Sequence, residues 1–145
     1  MERTIPETAV PRTPDPEKAA WIGKGKVRAR RVGDPVNGEA VEIQIDGITT
    51  QARYYKLLIY EFLRKDFQVR PRWGDFCASV RMEYQGEAPR LDLDNLAKAV
   101  LDGLKGFVFF DDSQIARLEC ERVPGERDRV SVRAGPHTPT ASRLG

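Results

Sequence analysis

The side chains of this sequence best placed to do chemistry are Asp92, Asp94, Lys98, Asp111 and Asp112. Asp92 and Asp94 are two apart, so on an extended segment both carboxylates point one way while Leu93 points into the protein. Asp111 and Asp112 follow the apolar run Phe107-Val108-Phe109-Phe110. If that run folds back along a helix, it brings them beside the first pair. Carboxylates gathered at one point repel one another strongly. A cation relieves the repulsion, and hard oxygen donors favour Mg²⁺ or Mn²⁺.

The intervening residues supply that helix. Leu96, Val100 and Leu104 form one stripe, widened by Ala97 and Leu101, and Gly106 is a C-cap. Lys98 and Asp102 fall on its polar face. Plainer readings exist for each part: an Asp before a helix as an N-cap, Asp111-Asp112-Ser113 as a turn, Lys98 with Asp102 as a solvent-facing pair. One N-cap accounts for Asp92 or Asp94 but not both. An EF-hand loop is excluded, since Leu96 takes a ligand position and Ala97 stands where the sharp turn needs Gly. The only histidine, His137, lies in a Gly-Pro-Thr-rich tail, which closes histidine-based general-base chemistry to this chain.

Asp92-x-Asp94-Asn95-x-x-Lys98, a helix, then an apolar run ending in Asp111-Asp112-x-Gln114-Ile115 resembles the RusA family of Holliday-junction resolvases. The likeness is strongest over residues 90–122 and extends more loosely from Val41 to Ala134. It implies that Asp92, Asp94 and Asp112 are metal-binding catalytic carboxylates, with Asp111 in support, and that Lys98 is the catalytic lysine. It also implies Mg²⁺ (Mn²⁺ as substitute), a homodimer, and branched DNA as substrate. One departure stands out. The family's type member carries a run of arginines before the first aspartate, whereas Gln85-Gly86-Glu87-Ala88-Pro89-Arg90 keeps only Arg90.

The 145 residues suit one domain, and no apolar run approaches the length of a membrane span. No signal-peptide pattern opens the chain. Cys77 and Cys120 fall in expected strands and read as small core residues of a reducing cytoplasm. Net charge is only +2, but residues 92–112 hold five aspartates against Lys98 and Lys105, so the remainder carries +5. An acidic centre in a basic surround suits a nuclease. Arg53, Lys56, Arg70, Arg72, Arg81 and Arg90 are the candidates for DNA phosphates.

In chain order, residues 1–38 are expected as a flexible arm whose basic run, Lys24 to Arg31, tracks phosphates. Residues 39–134 form the nuclease domain, and 135–145 a disordered tail. Val41 to Asp46 alternates as a strand, and a helix from Gln51 to Lys65 turns Tyr54, Leu57, Leu58 and Phe62 inward. Ala78 to Tyr84 is a second strand. Ala116 to Glu121 and Arg129 to Ala134 are strands expected to pair as a hairpin across Pro124-Gly125-Glu126. The order β-α-β-α-β-β predicts a single α+β domain with helices on a mixed sheet. The expected function is Mg²⁺-dependent resolution of Holliday junctions. Alternatives are a protein that holds branched DNA without cutting it and a metal nuclease acting on flaps or ordinary duplex DNA. A metal-independent nuclease lacks the necessary His, Tyr or Ser constellation.

Overall fold

Alternating apolar residues build most of a single sheet in the computed structural model, which describes residues 20–33 and 38–138. Strands β1 (Ile22–Lys24), β2 (Val27–Val32) and β3 (Ala40–Asp46) come first. Helix α1 (Ala52–Lys65), strand β4 (Phe76–Tyr84) and helix α2 (Leu93–Leu104) follow. A 3-10 turn (Asp112–Gln114), β5 (Ile115–Pro124) and β6 (Arg129–Pro136) complete the chain. The six-stranded sheet runs β1-β2-β3-β6-β4-β5. Its β4–β5 pair is parallel and the others antiparallel. The α+β architecture matches the sequence pattern. No helix among the described residues is long and apolar enough to cross a membrane.

The core lies between one sheet face and the two helices. Ile43 and Ile45 of β3 sit opposite Val132 and Val130 of β6, and Val80 of β4 opposite Val132. Leu96, Val100 and Leu104 of α2 are fully buried against them, as the periodicity requires. On α1 the buried residues are Tyr55, Ile59, Phe62 and Leu63, while Tyr54 and Leu57 remain exposed. The inward face is thus rotated by about one residue from the expected one. Two contacts set it: the Tyr55 hydroxyl accepts a hydrogen bond from the Thr49 amide, and Gly103 of α2 lies against Ile59. A Cβ at Gly103 would stand 2.9 Å from Ile59 Cβ, so glycine permits this helix crossing.

Two expectations need correcting. Residues 22–32, assigned to a flexible arm, are strands of the sheet. Their charge hid an ordinary alternation. Val27 and Ala29 are buried, while Arg28 and Arg30 lie on the opposite face, bonded to Asp46 and Glu42 and covered by Trp21. Arg31 packs over the Phe67 ring. Most of the supposed phosphate-tracking run is therefore spent inside the fold. Residues 1–19, 34–37 and 139–145, which include the rest of the arm and most of the tail, fall outside the described residues.

The second correction concerns β5 and β6, which do not pair as a hairpin. Strand β4 lies between them. Their connection crosses the end of β4, where the Gly125 amide donates to Tyr84 O and the Glu126 amide to the Glu83 carboxylate. Sequence neighbours joined by a short turn pair by default, but the α2 crossover has already claimed β5 as the parallel neighbour of β4.

Candidate active site

Leu91 is buried and anchors the chain just before α2. Asp92 is the N-cap residue in extended conformation, but its side chain makes no capping hydrogen bond. Asp94 lies inside the first helical turn rather than on an extended segment, so the expected geometry of the pair is corrected. Starting the helix at Leu93 packs that residue against the core while both aspartates stay exposed. Among the described residues the Asp94 carboxylate accepts only from the neighbouring Asn95 amide. Lys98 stands one turn further along the exposed face and has no ion-pair partner among the described residues. Three charged groups therefore share one end of α2 with no structural employment.

The far end of the helix carries the other acidic pair. After Lys105 the chain turns at once, with the Gly106 amide bonded to Phe109 O and the Val108 amide to Leu104 O. Asp111 is fully committed there. Its carboxylate accepts from the Ser113 amide, forms a capping box with Gln114 and pairs with Lys105 at 3.7 Å. Hydrogen bonds from Ser113, with Lys105 in support, hold its carboxyl below the usual carboxylate range. Asp112 is different. Its Oδ1 is buried and has no hydrogen-bond partner among the described residues.

The two pairs do not meet within one chain. Ten helical residues, Asn95 to Leu104, lie between them, about 15 Å of helix. The segment that returns past the first pair is β5, and it brings Cys120: its thiol lies 3.5 Å from Leu93 O. Burial first, and then the charge of Asp94, push that thiol's pKa up. Among the described residues no three acidic, cysteine or histidine side chains stand close enough to hold a metal ion.

The basic candidates divide similarly. Arg90 precedes Asp92, and Arg53 and Lys56 project from α1; all three are exposed, as is Arg70. Arg72 is occupied, donating to Glu39 O and lying over the Phe76 ring. Arg81 faces away from the helices and pairs with Glu121. Sequence reasoning missed Arg122, exposed on the same side of β5 as Cys120, and it missed the work of Gln114. The spacing Asp111-x-x-Gln114 was itself the signal of a capping box.

A family model described as Endodeoxyribonuclease RusA matches residues 50–134. The chain belongs to the RusA family. That places it among Holliday-junction endodeoxyribonucleases, which are in general divalent-metal nucleases. The RusA match begins after β3, although β1 to β3 belong to the same sheet. A comparison with curated proteins found no match. The residues suit a hard cation in chemistry, since every free donor is a carboxylate oxygen and Asp112 buries one with nothing bonded to it. They suit it in geometry only as two half-sites.

Proposed function

We propose that this RusA-family protein resolves Holliday junctions by paired phosphodiester hydrolysis in DNA recombination and repair, as a homodimer using Mg²⁺, with Mn²⁺ as a substitute. The observation that carries the reading is the separation of Asp92 and Asp94 from Asp112 along α2, with all three carboxylates left free of a structural bond to another element. Each site would join Asp92, Asp94 and Lys98 of one chain to Asp112 of the partner subunit. A twofold axis then yields two equivalent sites, matching the two equivalent strands of a four-way junction. Asp111, spent as a cap, is left out of the ligand set.

Strand β5 offers a way for the chains to meet, because its outer edge is unpaired and ten residues long. Arg117 and Glu119 flank Leu118, which is exposed. Antiparallel pairing centred on Leu118 sets each Arg117 against the partner's Glu119. It also sets the partner's Asp112 level with Pro124, toward the end of the sheet where Asp92 and Asp94 stand.

A bound cation would supply activation of water and polarisation of the phosphoryl group. Asp92, Asp94 and the partner's Asp112 would hold the cation. Lys98 stabilises the charge that builds on the phosphoryl oxygens. Arg53, Lys56, Arg70 and Arg90 hold backbone phosphates and set register. Matched junction, flap and duplex substrates, digested with Mg²⁺, with Mn²⁺ and with chelator, test the whole. Symmetric cuts in the junction alone, abolished by chelator, are expected. Equal cutting of flap or duplex, or cutting that survives chelation, would contradict it.

A further inference from the structure

Trp73 is the most exposed large hydrophobic side chain among the described residues, at 72%. It is not loose. Its ring stacks on that of Phe110, with centroids 4.2 Å apart and planes 18° from parallel. The backbone on both sides of Trp73 is pinned by a single buried amide: Gln114 Nε2 donates to Arg72 O and to Gly74 O, each at 2.8 Å. The same side chain accepts through Oε1 from the amides of Phe110 and Asp111. All four hydrogen-bonding positions of Gln114 are thus used to fix the Trp73 loop to the Phe110–Asp112 segment. Gly74, at φ +97°, turns the chain sharply behind the tryptophan. The fold gains little from a tryptophan so exposed, yet holds it rigidly against Phe110, two residues before Asp112.

A stacked aromatic pair that ends in solvent is a platform for one more flat, apolar ring. The exposed Arg70 on the same connector suits a partner that carries a phosphate backbone. We propose that Trp73, backed by Phe110, stacks on the exposed face of a nucleobase at the branch point of branched DNA, beside the cleavage point. This rests on reading the protein as a branched-DNA nuclease, and adds a site through which it distinguishes a junction from a duplex. Bases at a branch point are available for stacking, whereas those of a paired duplex must first be unstacked at a cost.

The test measures binding without divalent cation, using a junction that carries 2-aminopurine at the branch point and a matched duplex. The wild type changes the 2-aminopurine fluorescence. Trp73→Ala removes that change and weakens junction binding about tenfold to a hundredfold. Duplex affinity, circular dichroism and dimer mass stay as in wild type, and Trp73→Phe recovers most of the loss. An unchanged fluorescence response, or equal losses on junction and duplex, would overturn the proposal. Dissociation of Trp73→Ala into monomers would also overturn it, by assigning the aromatic pair to an interface between copies. A Trp73-dependent signal on a junction that the wild type fails to cut would uphold the stacking site while refuting the nuclease reading.

Discussion

Aspartates stand at the first turn of helix α2 and again at the 3-10 turn beyond its far end, and the two places use them differently. At the first turn, Asp92 makes no capping bond and, among the described residues, Asp94 accepts a hydrogen bond only from the amide beside it. At the other end, Asp111 makes every bond a capping residue makes, and Asp112 buries one oxygen that bonds to nothing. A carboxylate that stabilises its own fold is visible by its partners. One kept for a ligand is visible by their absence, and an unsatisfied buried acceptor costs the fold about 1–3 kcal/mol. Three of the four aspartates belong to the second kind. Asp111 belongs to the first.

Substitutions at the two ends should separate these kinds. Asp94→Asn and Asp112→Asn each remove a free carboxylate and should each slow single-turnover cleavage by at least about a thousandfold. Neither should lower the melting temperature, and junction binding should hold or tighten, since an anion beside the phosphates is gone. Parallel losses of stability and rate would return both residues to a structural role. Lys98→Ala should cost on the order of a thousandfold in the same assay, with folding intact because alanine favours helix. A rate within fivefold of wild type would remove Lys98 from the mechanism.

Gln114→Leu tests the support beneath the far end. Four backbone groups lose their partner, so stability should fall by about 2–4 kcal/mol in urea unfolding. A smaller loss would show that water replaces the amide. Asp111→Ala should lower the melting temperature slightly and leave the rate within fivefold. Its carboxyl is held below the ordinary range, so its contribution is present at neutral pH and lost as pH falls through the depressed value. The variant should therefore differ from wild type at neutral pH and converge with it in acid. A collapse of activity instead would place Asp111 among the metal ligands.

The sequence shows much of this and hides a specific remainder. Leu96, Val100 and Leu104 announce α2, and the alternations of β3, β4, β5 and β6 are each readable because one face is apolar. β2 was hidden because its outward positions are arginines, and a basic run resembles a solvated arm until Glu42 and Asp46 are seen to neutralise it. The β4–β5 pairing is a long-range choice that no local turn signal reveals. At the site, residue types and spacing found the free carboxylates and Lys98, and the family likeness named their roles. Convergence was misjudged because a helix of this length carries its ends apart, and the six residues after it turn without returning. Trp73 sits in the α1–β4 connector, which has no periodicity, so only its contacts expose it, and the capping-box spacing that signals Gln114 says nothing of its bonds to that connector.

Intersubunit complementation tests the central claim most directly. Asp94→Asn and Asp112→Asn chains, each inactive alone, are mixed under conditions that exchange subunits, and cleavage of a four-way junction is measured with Mg²⁺. If Asp92 and Asp94 of one chain work with Asp112 of the partner subunit, each mixed dimer contains one site with every aspartate intact and one with two substitutions. Nicking of one junction strand should return in proportion to the mixed dimer. If all three aspartates act within one chain, both sites of every mixed dimer carry a substitution, and mixing should restore nothing.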